Sequence, residues 1–341
     1  MKKSKTKYSV SAVICHHKGD LIFKAIESLQ KSREVELEII VVTTGDENVS
    51  RLRNKYPDCV VVSAEGGPAT KRNVGCRLAR HPLYAFFDDD VEVTPYACFY
   101  LARTLNKSDV GATFGKLLNM EHRNRFDEAG SFLTWSGFLY ARCESGIEDT
   151  GQFQEEVPIL AGKSASMMIR RKCFWQVGGY DESYEILGEE TDLAWRVWLS
   201  GMSVMWCPKS VTYHAFNTRF KPADFYVPRR VYYNGCRNYL TMIITNLAPA
   251  NLIIPLVVQT LTWSLAGLGF FLTGKFEASK NVFYGLGYVI TNLKSIIKKR
   301  QIVQRMRVVR DRDLLPIVTH NPPPSYYLKR FVHYIQTGRH G

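Results

Sequence analysis

The chain has 341 residues, 45% of them hydrophobic, and its 45 Lys and Arg against 32 Asp and Glu give a formal charge of +13. That is enough apolar content for one large α/β domain with an appendage, or for two modest domains, and it excludes a disordered chain. The eight cysteines form no zinc-knuckle or thioredoxin-like pair, which fits a reducing cytoplasm, and the basic stretch Met1 to Lys7 leads into a strand pattern rather than a signal-peptide core.

The first third alternates short apolar runs with helical patterns. Val10 to Ile14 reads as a strand, Leu21 to Leu29 as a helix, and Leu37 to Val42 and Val60 to Val62 as further strands. Such alternation predicts a parallel, doubly wound sheet. Gly66-Gly67-Pro68 breaks the chain, Ala69 to Ala79 reads as a helix, and Leu83 to Phe87 is a buried strand that ends in Asp88-Asp89-Asp90. Three carboxylates at a strand's carboxyl end call for a positive partner. A divalent cation such as Mg2+ or Mn2+ suits them, because oxygen ligands at alternate positions grip it while other sites stay open for phosphate oxygens. In open α/β sheets ligands bind at that edge.

Between Asp109 and Ile159 the periodicity is weak and no element is assigned. Order returns at Ala165 to Arg170, a strand, and Cys173 to Val177, a helix closed by Gly178-Gly179. Glu189 to Leu199 is an amphipathic helix whose early carboxylates, Glu189, Glu190 and Asp192, also suit the positive end of the helix dipole. No charge occurs from Asn238 to Gly274, and Leu252 to Leu272 is long enough to cross a hydrocarbon layer of about 30 Å. Pro249 and Pro255 leave a re-entrant or interface-lying arrangement open beside a straight span. Asn281 to Leu293 reads as a shorter, marginal membrane helix. Directly after it, Lys294, Lys298, Lys299, Arg300, Arg305, Arg307, Arg310 and Arg312 form the basic flank expected on the cytoplasmic side of a membrane.

The motifs, in order, resemble glycosyltransferase family 2, the inverting GT-A enzymes that move a sugar from a nucleotide-diphosphate donor. The resemblance runs from Val10 to His214 through Glu38 to Val42, Gly67 to Gly75, Phe87 to Val91, Met168 to Arg171, Gly178 to Glu182, Gly188 to Arg196, and Pro208 to His214. It implies a Rossmann-like, mostly parallel GT-A domain over residues 1–228 and a helical, membrane-associated region over 229–341. It further implies that Asp88 and Asp90, with His214, hold Mg2+ or Mn2+. Cys15, His16, Thr43, Lys71, Arg72, Asn73, Asp88 and Asp89 are then the expected contacts to a UDP, dTDP or GDP sugar. Glu190 occupies the position of the family's general base, with Asp192 as the alternative, and Glu189 positions the acceptor or braces the helix.

Two departures leave the base open: Cys15-His16-His17-Lys18 replaces the usual Pro-Thr-Tyr-Asn, and Thr43 replaces an aspartate. The Gln-x-x-Arg-Trp element of processive synthases is not found after His214, so a single sugar addition is expected. The expected acceptor is lipid-linked or a glycan at the cytoplasmic membrane face. A nucleotidyl or phosphoryl transferase would use the same acidic strand end but gives the Glu189 to His214 series no role. Nucleic acid is not an expected partner, since no recognition motif accompanies the charge.

Overall fold

A computed structural model describes residues 8–215 and 229–337, so the expected domain division at residue 228 lies outside the described residues. The central sheet has the strand order β3 (Val60–Ser63), β2 (Val35–Thr43), β1 (Tyr8–Cys15), β4 (Leu83–Asp88), β10 (Met167–Arg170), β6 (Val110–Asn119), β11 (Ser203–His214), β5 (Val91–Val93), with β7 (Phe126–Glu128) paired to β6. β1 (Tyr8–Cys15), β2 (Val35–Thr43), β3 (Val60–Ser63) and β4 (Leu83–Asp88) are mutually parallel. Val10, Ala12 and Ile14 of β1 pack into one apolar cluster, and Val13 packs into a second cluster on the opposite face. A strand covered on both sides reads as an unbroken apolar run.

α1 (Leu21–Leu29) and α2 (Asp46–Lys55) complete this half, together with α3 (Pro68–Leu78), which opens on a proline suited to a first helical turn. A Cβ at Gly75 would meet Val13 Cγ1 at 2.4 Å, so glycine lets α3 lie directly on β1. The second half of the sheet is mixed rather than parallel. β10 (Met167–Arg170) runs antiparallel between β4 and β6 (Val110–Asn119), while β11 (Ser203–His214) is parallel to β6 and antiparallel to β5 (Val91–Val93). α4 (Ala97–Leu105) packs against β6 and β11. The unassigned segment therefore contains a ten-residue central strand, followed by β7 (Phe126–Glu128) and the small hairpin of β8 (Ser131–Leu133) and β9 (Leu139–Ala141). α5 (Arg171–Gln176) and α6 (Glu189–Leu199) lead back to β11.

α7 (Asn234–Asn246), α8 (Pro249–Leu272), α9 (Phe276–Thr291), α10 (Leu293–Met306), α11 (Asp311–Val318) and α12 (Pro324–Thr337) follow. Leu240, Ile243, Trp263, Phe270 and Val282 belong to the same buried cluster as Phe114, Leu193 and Trp195 of the sheet side. The helices thus share the core of the sheet domain.

α8 is the one helix among the described residues long and apolar enough to cross a membrane. Pro255, Gln259, Trp263, Ala266 and Phe270 face inward, whereas Ile254, Val257, Leu261, Leu265, Leu268 and Leu272 are exposed at helical spacing along the other side. The marginal second span falls in α9, whose 16 residues reach only about 24 Å and bury Ala278, Val282 and Gly285 against the protein. The basic flank is divided. Lys299 binds Asp181 and Ser183, and Arg300 and Arg307 donate to backbone carbonyls at the end of α7. Lys294, Lys298, Arg305, Arg310 and Arg312 remain exposed.

Candidate functional site

Asp88 is the last residue of β4, and the turn through Asp89 and Asp90 leads into β5. The Ala215 N–H donates to the Asp90 carbonyl at 2.9 Å, which pins that turn against the end of β11, where His214 sits. One ligand atom from each of Asp88, Asp90 and His214 lies within 4.8 Å of the others. His214 Nε2 is 3.2 Å from Asp90 Oδ1 and 3.9 Å from Asp88 Oδ2. Two carboxylates and an imidazole around one point form a donor set that fits Mn2+ or Mg2+.

The other face of the imidazole is fixed by a residue that sequence reasoning missed. His214 Nδ1 lies 2.8 Å from Asp127 Oδ2, which also accepts from Lys163 Nζ at 2.8 Å. A carboxylate on one ring nitrogen orients the other toward a cation. Burial acts to lower the His214 pKa, but Asp90 and Asp127 overcome it and push it up to about 10. Burial would raise Asp127, yet Lys163 and His214 hold it well below the carboxylate range. Its neighbour Glu128 is pushed up to about 7, by burial first.

The donor-side expectations divide into loop contacts and structural clamps. His16 Nδ1 meets Asp89 Oδ2 at 2.8 Å, and the His17 N–H donates to the same oxygen, so the loop after β1 is tied to the acidic turn. Lys71 Nζ donates to the His16 carbonyl at 2.8 Å and to Thr44 Oγ1 at 2.6 Å, joining the loops after β1 and β2. Cys15 donates its thiol to the Pro68 carbonyl, and burial pushes its pKa up to about 12. Thr43 is fully buried and its hydroxyl has no partner among the described residues.

Two expected nucleotide contacts are committed elsewhere. Asn73 exchanges hydrogen bonds with the Tyr180 backbone and donates to Glu182, which fastens α3 to the loop before α6. Arg72 is buried and donates to Asp88 Oδ1 at 2.9 Å and to Glu189 Oε1 at 3.0 Å. A single guanidinium thus joins the acidic turn to the start of α6.

That start is shaped by backbone. Leu187 has φ of 72° and Gly188 φ of 89°, a left-handed pair of which only the glycine is free of a Cβ penalty. Asn238 of α7 donates to the Ile186 and Leu187 carbonyls at 2.8 and 2.7 Å, and Arg237 donates to the Ser183 carbonyl at 2.7 Å. These two braces were also missed, because nothing in an apolar-flanked helix marks its polar residues as loop clamps. Gly67 meets the same loop from the donor side: a Cβ there would stand 2.4 Å from the Glu185 carbonyl oxygen.

The two candidate bases differ. Glu190 is half-buried, and among the described residues no side chain forms a hydrogen bond or ion pair with its carboxylate. Its pKa is held well above the usual value by burial and then by Glu189, with Arg72 opposing. Asp192 is buried, with one oxygen paired to Arg196 and the other accepting from Asn246 at 2.9 Å. Both oxygens of Asp192, the expected alternative base, thus join α6 to its own next turn and to α7.

Residues 9–231 match the family described as Glycosyltransferase like family 2. N-acetylgalactosaminyltransferase 6 of Drosophila melanogaster is 29% identical over 155 residues, which cover 42% of this chain and 22% of that protein. Among solved structures, S. aureus TarS 1–349 superposes with a TM-score of 0.57 at 16% identity, over 97% of this chain and 92% of the other. GalNAc-T7, solved with UDP, GalNAc and Mn2+, gives a TM-score of 0.57 at 15% identity, over 84% of this chain and 57% of that one. The chain thus spans under a quarter of the fly relative and a little over half of the GalNAc-T7 chain, and the structural likeness is one of GT-A fold.

Proposed function

This chain belongs to the glycosyltransferase-like family 2, and from that premise we propose that it performs an inverting, divalent-cation-dependent transfer of one sugar from a nucleotide-diphosphate donor to an acceptor hydroxyl at a membrane surface. The observation that carries the reading is the Arg72 bridge between Asp88 and Glu189. It ties Asp88 of the cation-competent group to Glu189, the neighbour of Glu190, through one buried guanidinium.

Mg2+ or Mn2+ held by Asp88, Asp90 and His214 would stabilise the charge that leaves on the nucleoside diphosphate. Asp127 and Lys163 keep the imidazole turned toward that charge. Glu190 takes the acceptor hydroxyl proton as the oxygen attacks the anomeric carbon opposite the leaving group, which inverts the configuration. Burial strengthens the ionised carboxylate as a proton acceptor. Glu189 is tied to Arg72 and serves to position the pair.

The loops joined by Lys71 make the nucleotide seat, and UDP is the donor nucleotide of choice, supported by the UDP complexes of GalNAc-T7 and TarS. The acceptor is a lipid-linked sugar or a glycan. The exposed apolar stripe of α8 supports contact with hydrocarbon. A helix about 36 Å long that packs on the protein from Pro255 to Phe270 would drag the polar domain into the bilayer if it spanned, so α8 lies along the interface.

A thermal-shift panel of UDP, dTDP, GDP and CMP with and without Mn2+ tests the donor side, since a ligand bound only by the folded state raises the melting point. UDP with Mn2+ should give the largest shift, and Asp90→Ala should remove the Mn2+-dependent part. Equal shifts in EDTA would overturn the cation role.

A further inference from the structure

Beside the buried face of α8 runs a cavity of about 530 Å3, inside the roughly 300–1,000 Å3 range of small-molecule sites. Its walls are apolar and aromatic, built from Phe138 and Leu139 after the hairpin turn, Tyr239 of α7, Trp263 of α8, and Phe331 and Tyr334 of α12. Trp135, Leu265 and Leu328 line its mouth, each more than half exposed. Leu265 belongs to the exposed stripe of α8, so the cavity opens directly onto the face assigned to the membrane. Tyr239 in this wall follows Asn238, whose side chain donates to the Ile186 and Leu187 carbonyls in the loop just before Glu190. Among the described lining residues Arg330 is the single charged one, and it donates to the Tyr326 hydroxyl at 3.0 Å. A second cavity of about 600 Å3 shares the Thr134-Trp135 turn and continues beside Leu247, Ile254 and Leu315.

We propose that the groove between α8, α12 and the β8–β9 turn holds the single apolar chain of a lipid-borne acceptor, laid from the membrane-facing stripe of α8 toward Glu190. The inference rests on the transferase reading only for the word acceptor. Its arguments are the apolar lining, the continuity with the exposed stripe, and a wall helix, α7, that also clamps the loop leading to Glu190.

The test uses the full chain in detergent micelles and a hexadecyl phosphate carrying a diazirine at the chain end. Light should attach the probe within Thr134 to Leu139, Val258 to Ala266, or α12. Unlabelled hexadecyl phosphate should compete, while butyl phosphate, inorganic phosphate and phosphatidylglycerol should not. Thr262→Trp, which fills the half-buried wall, should cut labelling about tenfold, whereas Ile253→Ser, on the exposed side outside the groove, should leave it unchanged. Normal labelling of Thr262→Trp, even labelling from Ile254 to Leu272, competition by phosphatidylglycerol, or cross-linked dimers in place of lipid adducts would each overturn the proposal. The UDP and Mn2+ shift is measured on the same samples. Its loss with labelling intact would strike the transferase reading and leave the lipid-chain site standing.

Discussion

The proposed donor and acceptor sides of this protein are built from different material. Asp88, Asp90 and His214 hang from the ends of β4, β5 and β11, where ladder hydrogen bonds fix the backbone before any side chain acts. Glu189 and Glu190 start a helix whose entry loop is held by Arg237 and Asn238 of α7. The acidic turn is local and visible as a run of aspartates, while His214 joins it from the distant strand β11. The proposed acceptor side is assembled between α6 and α7, so its geometry depends on the C-terminal helices. The helical region is therefore part of the site's construction as well as the bearer of an apolar face.

Perturbing the strand ends should give the largest effects. Asp90→Ala removes a cation ligand and should lower nucleotide release from the donor sugar by at least about a thousandfold, measured as UDP production with Mn2+, while circular dichroism stays native. Asp127→Ala leaves all three ligands but frees the imidazole. It should weaken Mn2+ about 10- to 100-fold, read as the Mn2+ concentration at half-maximal rate, with the saturated rate recovering much of its value. An unchanged Mn2+ requirement would show that Asp127 is a packing residue.

The acceptor side should respond through rate at constant donor affinity. Asn238→Ala releases the Leu187 carbonyl and should lower kcat about tenfold or more while UDP binding holds, because small misplacement of a catalytic group is costly. If UDP affinity falls in step with kcat, the brace serves the whole fold.

The smallest effect is at the seam. Burial would raise Asp181, but Lys299 of α10 and the hydrogen bonds from Lys299 and Ser183 hold its pKa below the usual value. A depressed carboxylate contributes stability above its unfolded pKa, near 3.9, and loses it as pH falls through the lower folded value. Lys299→Met should therefore cost at most about 1 kcal/mol at neutral pH for this partly exposed pair. The difference in melting temperature from wild type should shrink below pH 4. A constant difference down to pH 2 would assign the loss to packing.

The first half of the fold was legible because its physics is local. β1 and β2 carry apolar runs, and α1 and α6 have the bounds their periodicity predicts. β6 was not, because it is buried on both faces and includes Gly111, Gly115 and Lys116, so neither alternation nor an apolar run marks it. Gly115 is required there: a Cβ would stand 2.4 Å from Ser166 Oγ. The cation ligands stood out as a motif, whereas Asp127 and Lys163 lie in or beside that unreadable segment and meet His214 only in three dimensions. Arg72 and Asn73 read as nucleotide contacts because sequence shows a basic, polar helix start and not its burial. The partners of Asp192 were hidden for the same reason, since Arg196 and Asn246 are one turn and one helix away.

The central claim is that Glu190 is the group that takes the acceptor proton. It is tested most directly by single-turnover release of UDP from the donor sugar in Glu190→Gln, with UDP and Mn2+ affinity measured on the same preparation. The account predicts a loss of roughly two to four orders of magnitude in rate with unchanged affinity, while Asp192→Asn loses stability more than rate. Near-normal turnover in Glu190→Gln, with the chemistry lost in a folded Asp192→Asn, would contradict it.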